Sequence, residues 1–422
     1  MDKSGDLLQH IQALQFSDKG QAETLLRDFI AETFGLAVQR VELRPLAVSL
    51  NSFNGFVWLE DNQRLFFKTH TEPDTVIGEY YNAAALAAAG YPIIQPLYAS
   101  TETGRQLLIY EVVDWASVFD IAWNIECGQS DFQDILIQAQ QRADTQILQI
   151  YLRTLQWQDS KIACAAPIHQ LFHHRLAQGR LERFYGPLPG QPERDSPAVD
   201  LPGGAWAMRE VRRVNWEING QKYDATLDDI IMNALAILVP TQSGPSIIGH
   251  GDAHNGNVFF DLDEQSLTYF DPAFAGRHNP LLDLVKPLFH NVFAMWMYFP
   301  QEKAAQTTVA FGPELDIWRV DYDYRLHPLR RLFLDSKINH VLVPLLKELK
   351  HRNWLRTNWR QYLKAALFCC PFLTMNLTDR SRFPPAISLL GLAMAVEMGA
   401  ESSGQRSLID HILDSVQEQI DG

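Results

Sequence analysis

Ile248-Gly249-His250-Gly251-Asp252-Ala253-His254-Asn255-Gly256-Asn257-Val258-Phe259-Phe260, followed by Leu267-Thr268-Tyr269-Phe270-Asp271-Pro272, decides how this chain is read. Val258-Phe259-Phe260 and Leu267-Thr268-Tyr269-Phe270 are short apolar strands, and the polar residues 261–266 between them predict an antiparallel hairpin. Asn257 precedes the first strand and Asp271 follows the second, so pairing brings both to the open end of the hairpin. Asp252 sits in a loop that feeds the same end. One carboxylate is then free to act as a base, and an amide oxygen and a second carboxylate remain as the hard oxygen ligands that Mg²⁺ prefers. Phosphoryl transfer is mainly positioning and charge neutralisation, so these few groups point to it. Each residue alone is an ordinary turn former; their convergence carries the reading.

Composition sets the bounds. The chain has 422 residues and is 46% hydrophobic, enough for a large core and two or three structural units. Charged residues make up 20% and aromatics 11%, which argues against overall disorder. A formal net charge of -14 argues against nucleic acid or an anionic membrane as main partner, and is compatible with a cationic substrate. Cys127, Cys164, Cys369 and Cys370 are too few and too poorly spaced for a disulfide scaffold or a zinc site. Met1-Asp2-Lys3-Ser4-Gly5-Asp6 leads into no long apolar stretch, so no signal peptide is expected. The apolar runs near Ala84 and Leu389 fall short of the roughly 20 residues that a membrane span needs. A cytoplasmic protein is expected. Its oligomeric state is open.

Along the chain, Leu7, Leu8, Ile11, Leu14, Leu25, Leu26, Phe29, Ile30 and Phe34 recur at helical spacing, and residues 1–37 read as a helical extension. Residues 38–113 read as a small β-rich unit with one helix. In it Val41-Glu42-Leu43, Val57-Trp58-Leu59, Leu65-Phe66-Phe67-Lys68 and Leu107-Leu108-Ile109-Tyr110-Glu111-Val112-Val113 are strands, and 75–89 is a helix ending at Gly90. Asn54-Gly55 is the favoured hairpin-turn pair. Residues 114–422 read as mainly helical, with candidate helices at 131–157, 161–184 and 227–238, a long Pro/Gly loop at 186–204, and a hairpin around Asn219-Gly220. Beyond Asn279-Pro280 helices are expected to dominate. Trp354, Trp359, Tyr362 and Phe368 are spaced as a core face. Trp206, Trp216 and Tyr223 are read as surface elaboration, with a substrate lid as the sharper alternative.

The motif His250-Gly251-Asp252-Ala253-His254-Asn255-Gly256-Asn257, with Tyr269-Phe270-Asp271-Pro272-Ala273-Phe274-Ala275-Gly276, resembles the catalytic and metal loops of the aminoglycoside phosphotransferase and choline kinase superfamily. These are small-molecule kinases with a protein-kinase-like fold. The resemblance implies a two-lobed α+β fold, with a small β-rich N-lobe and a larger, mainly helical C-lobe. It implies ATP and Mg²⁺, Asp252 as the catalytic aspartate, and Asn257 and Asp271 as metal ligands. His250 and Asp283 would be structural supports. Upstream, Phe66-Phe67-Lys68 resembles the strand whose lysine contacts nucleotide phosphates. The helix carrying Gly78-Glu79-Tyr80-Tyr81 resembles the one whose glutamate pairs with that lysine. Glu111 and Val113 would meet adenine at the hinge. The similarity covers about residues 40–115 and 245–290.

The chain departs from the family at the phosphate-covering turn. Ser49-Leu50-Asn51-Ser52-Phe53-Asn54-Gly55-Phe56 holds a single glycine, which leaves Ser52 and nearby amides as candidate phosphate contacts. Two rivals stay open: a non-catalytic nucleotide-binding relative, and a metallohydrolase using His250, Asp252 and His254. A protein kinase is disfavoured, because only eleven residues separate Asp271 from Asp283, too few for a peptide-docking segment. The acceptor is expected to be a small-molecule hydroxyl, in an amino-alcohol, an aminoglycoside, a sugar or similar.

Overall fold

The computed structural model describes residues 5–44, 52–70, 75–100, 102, 105–192 and 196–422, with 5–6, 52, 70 and 75–81 described by backbone alone. Helices α1 (Gly5–Leu14) and α2 (Lys19–Phe34) come first. Asp18 starts α2 by accepting from the Gln21 N–H at 3.0 Å, which satisfies one of the free donors of the first turn. Five strands follow: β1 (Val38–Leu43), β2 (Ser52–Leu59), β3 (Arg64–His70), β4 (Tyr98–Ser100) and β5 (Leu107–Glu111). Helix α3 (Thr75–Ala89) separates β3 from β4. The sheet order is β1-β2-β3-β5-β4, antiparallel throughout.

Strand alternation decides what this sheet presents to the rest of the molecule. Phe53, Val57, Leu65, Phe67, Leu107 and Ile109 turn to one face and share a core with Leu8, Ile11, Leu26, Phe29 and Ile30 of α1 and α2. Their neighbours Phe56, Phe66, Lys68 and Tyr110 therefore turn to the opposite face, which lines a cleft. Asn54-Gly55 is not the expected turn but lies inside β2, paired with Lys68 and Phe67. A Cβ on Gly55 would come 2.0 Å from the Glu42 carbonyl oxygen, so the glycine marks a close approach of β1.

After the hinge, α4 (Val118–Glu126) and the 22-residue α5 (Gln133–Thr154) open a larger, mainly helical lobe. Its core is built on Trp359–Leu373 and Pro385–Gly399, whose side chains are buried almost without exception. Trp359, Tyr362 and Phe368 are in that core, as their spacing predicts. Together the two lobes make an α+β fold, a small β-rich lobe beside a larger, mainly helical one.

Several expectations for this lobe need correction. Residues 161–184 break into short turns of helix at Ser160–Ala163, Pro167–Leu171, His173–Ala177 and Arg180–Tyr185. The loop expected at 186–204 holds a strand, Ala198–Leu201, paired with Gly204–Ala207. The helical region past residue 280 contains a hairpin, Val309–Pro313 with Ile317–Tyr322. Its second strand runs parallel to Asn215–Ile218 and extends a five-stranded sheet. Trp318 and Val320 alternate there with exposed neighbours, a strand signal inside a helix-rich stretch. Trp216 and Tyr223 are buried in this sheet, so they are neither the surface elaboration expected nor a lid. Among the described residues no helix is long and apolar enough to cross a membrane.

Candidate functional site

The expected hairpin forms. Val258–Asp261 pairs antiparallel with Ser266–Tyr269, with Val258 opposite Tyr269 and Phe260 opposite Leu267. Both lobes grip it. The Tyr269 N–H donates to Pro92 O at 2.7 Å and the Ile94 N–H to Tyr269 O at 2.9 Å, while Ser117 bridges to Phe259. At its open end the Phe270 N–H donates to Asn257 O at 3.1 Å, and Asn257 Nδ2 donates to Asp252 O at 2.9 Å. Two hydrogen bonds thus tie the three predicted segments into one unit. Asp271 has a left-handed backbone, φ 56°. Strain of this kind in a non-glycine residue gathers at functional sites.

Beneath the loop, Asp283 is the hub. Its carboxylate accepts from the Gly251 N–H, from Tyr151 Oη–H and, at 3.0 Å, from His278 Nε2–H. Burial alone would raise its pKa. The hydrogen bonds and charge of His278, with those from Tyr151 and Gly251, outweigh burial and hold the carboxyl below the usual range. Gly251 has φ +81° and lies so near Phe274 O that a Cβ would approach to 2.4 Å, so only glycine lets the chain turn here. His250 is fully buried. Its Nε2 faces Phe270 O at 2.9 Å and donates to it, which leaves Nδ1 to face the Asp252 N–H at 3.4 Å.

Asp252 Oδ1 is buried and has no hydrogen-bond partner among the described residues. Two nitrogens stand near it: Lys286 Nζ at 3.8 Å and His254 Nε2 at 4.0 Å. His254 Nδ1 accepts from the Gly256 N–H at 3.0 Å, so the ring proton lies on Nε2, toward Asp252. Burial lowers the His254 pKa, with Asp252 opposing, and the ring is neutral at pH 7. Lys286 sits on Pro280–His290, a helix whose every residue is buried. Burial lowers its pKa too, again against Asp252. Behind it Nζ meets His290 Nε2 at 3.4 Å, and His290 Nδ1 meets Tyr298 Oη at 2.8 Å. Sequence reading missed this chain; its signal was a lysine three residues after Asp283 in an otherwise apolar helix.

Facing this floor, Lys68 Nζ crosses the cleft to Asp271 Oδ1 at 2.7 Å. The cleft, about 430 Å³, is lined by Phe56, Phe66, Tyr110, Glu111, Val113 and Phe270 among others. Phe259 stacks on Phe270 with centroids 4.1 Å apart, which gives the cleft an aromatic lower wall. The structure thus brings Lys68, Glu111, Val113 and Asp271 to one cleft; Asn257 and Asp252 do not line it but are tied to it through the Phe270 N–H and the Asn257 amide. The side chains of Ser52 and Glu79 lie outside the described residues, as do residues 49–51 of the expected phosphate-covering turn, whose remainder, 52–56, is strand β2 rather than a turn. The donor set suits a hard divalent cation: Asn257 Oδ1 has no partner among the described residues, and Asp271 is a half-exposed carboxylate. The histidine-based metal site finds no support. His250 spends its ring nitrogens on backbone groups, and among the described residues no three His, Cys, Asp or Glu side chains are placed to hold a metal.

Comparison with known proteins follows the same line. The model of the phosphotransferase enzyme family matches residues 138–316, which include the motif around Asp252 but not the N-terminal sheet. No curated protein matches the chain. Among solved structures, a thermostable mutant of an aminoglycoside phosphotransferase, in ternary complex with ADP and hygromycin B, is 11% identical, with 90% of this chain and 99% of that one covered at a TM-score of 0.46. A putative fructosamine-3-kinase from Thermobifida fusca is 13% identical, with 89% and 98% covered at 0.41. An ethanolamine kinase from Plasmodium vivax is 10% identical, with 99% and 94% covered at 0.42. At these identities and scores the likeness bears on no acceptor. Over residues 138–316, less than half of the chain, the sequence is similar to the phosphotransferase enzyme family.

Proposed function

We propose that the protein transfers the γ-phosphoryl group of ATP, with Mg²⁺, to a hydroxyl group of a small molecule. The observation that carries this reading is the buried, unpartnered Oδ1 of Asp252, a residue whose backbone carbonyl accepts from the Asn257 amide. The acceptor oxygen forms its bond to the γ-phosphorus as the bond to the ADP oxygen breaks, and the hydroxyl proton passes to Asp252 Oδ1. Asn257 Oδ1 and Asp271 hold the metal, which when bound supplies positive charge to the nucleotide phosphates. Lys68, paired with Glu79, leaves Asp271 to neutralise phosphate oxygens, and Ser52 is a further phosphate contact. The backbone at Glu111 and Val113 receives the adenine. His250 and Asp283 keep the loop in shape. Lys286 and His254 are positioning residues that steady the Asp252 carboxylate from behind.

The test is Asp252→Ala. Acceptor-dependent ADP release is expected to fall by about 10²- to 10⁴-fold, the usual share of a positioned base, while ATP·Mg²⁺ still binds. Full turnover in that variant sinks the reading.

A further inference from the structure

The Arg180–Tyr185 and His173–Ala177 turns frame a second hollow, of about 530 Å³, on the larger lobe. Arg175, Arg180 and Arg183 line it with His174 and two glutamines, and no carboxylate does. Among the described residues none of the three arginines forms an ion pair. Arg180 Nη1 donates only to Leu373 O at 3.2 Å, and Arg183 rests on the Phe184 ring, 5.3 Å from its centroid. A chain of net charge -14 has acidic side chains to spare, yet none neutralises this concave surface. The hollow is also coupled to the reacting carboxylate. Arg175 and Asp252 act on each other electrostatically, and Lys286 feels both Arg175 and Arg180. The arginines feel one another: burial, then Arg175 and Arg183, bring Arg180 down to about 10.

Unpaired guanidinium groups gathered in a concavity repel one another and focus a positive field. Their planar forks match carboxylate and phosphate oxygens. A cationic acceptor, which the overall charge allows, would meet repulsion at this spot. We propose that the acceptor carries an oxyanion, a carboxylate or a phosphate, which seats in the arginine hollow while its hydroxyl is presented to Asp252. This rests on the phosphotransfer reading above.

Two measurements test it on the full chain. The first compares ADP release with glucose, glucosamine, glucuronate and glucose 6-phosphate as acceptors, the last two separating carboxylate from phosphate. The anionic members are expected to have KM values at least ten-fold below those of glucose and glucosamine. R175Q and R183Q should each raise the anionic KM about ten-fold and so remove the preference for the anionic members over glucose. Preference for glucosamine overturns the proposal. The second is calorimetric titration of inorganic phosphate into protein saturated with ADP·Mg²⁺, which reads the hollow even if no hexose is turned over. Binding is expected, weakened at least ten-fold in R183Q, whose side chain is exposed and whose fold is least at risk; no binding, or equal binding, overturns it. Arginine-dependent phosphate binding together with undiminished ADP release by D252A would remove the phosphotransfer reading and leave the anion site standing.

Discussion

On the floor of the cleft, Asp283 is 2% exposed and meets a tyrosine, a histidine and a backbone N–H. Beside it the Asn255 N–H is taken by Asn291 Oδ1 at 2.7 Å. On the roof, Lys68 is 18% exposed and reaches across open space to Asp271, 39% exposed. The floor satisfies the Asp283 carboxylate and the Asn255 N–H within one lobe and leaves Asp252 Oδ1 unpartnered, so the frame around that oxygen stands before any substrate arrives. The roof pairs a polar group with one on the other lobe, a pair for which nucleotide phosphates would compete in the proposed reaction. Fixed floor and exchangeable roof are what a transfer reaction asks for: a base held within fractions of an ångström, and cations that change partners as charge moves.

The floor breaks most visibly at Asp283. Asp283→Ala strands the His278 ring, the Tyr151 hydroxyl and the Gly251 N–H in the interior. A loss of about 3–5 kcal/mol is expected by urea denaturation, as for other broken buried pairs. A loss under about 1 kcal/mol would show that the loop does not depend on this hub. The pH dependence has a definite sign. The folded pKa lies below the unfolded value, near 3.9, so the stabilisation is present above about pH 4 and fades as pH falls through the folded value. The difference between wild type and Asp283→Asn should therefore shrink on acidification from pH 6 to pH 3.

A second buried carboxylate in the same lobe sharpens the contrast. Glu397 receives a hydrogen bond from Tyr322 Oη at 2.7 Å, and Lys364 Nζ goes to the Glu397 carbonyl at 3.2 Å. Burial wins over these, and pushes Glu397 up to about 7. Between about pH 4.5 and 7 the folded state then binds more protons than the unfolded one, so stability falls as pH rises across that window. At about 1.4 kcal/mol per pKa unit the cost reaches about 3 kcal/mol as an upper figure. Glu397→Gln keeps the bond from Tyr322 and is expected to flatten this slope and to raise Tm at pH 8 but not at pH 4.5. An unchanged slope would mean that Glu397 stays ionised.

The difference between floor and roof also explains what was legible in the sequence. Asp252, Asn257 and Asp271 lie within twenty residues of one another on a hairpin, and hairpin pairing follows from local pattern, so their convergence could be read directly. Lys68 was legible through the resemblance of its strand to one in a known family and through its place in the sequence order. Tyr151, His278 and Lys286 were not, because each reaches the loop from a separate element and nothing in its own neighbourhood encodes the meeting. Arg175 was hidden in the same way, inside a segment that reads as continuous helix but folds as four short turns. Asn54-Gly55 misled because a turn signal and a close strand crossing both call for glycine. The parallel strand Ile317–Tyr322 is a non-local pairing, which periodicity does not reveal.

The smallest effect on stability is expected on the roof, and there the two sides separate most cleanly. Lys68→Met keeps the aliphatic stem packed beside Phe66 and removes the ammonium from Asp271. Partly exposed pairs contribute about 0–1 kcal/mol, and Lys68 has further contacts, so a stability change under about 1 kcal/mol is expected. Its catalytic effect should be larger and should fall on the nucleotide. KM for ATP is expected to rise about ten-fold and kcat to drop, because the phosphates lose a cation that no other described side chain in the cleft replaces except Arg64 at its rim. A Tm shift matching that of Asp283→Ala would mean that Lys68 belongs to a fixed frame after all, and that the roof exchanges nothing. A stable variant with unchanged KM for ATP would instead detach the lysine from the nucleotide and leave Asp271 as its sole purpose.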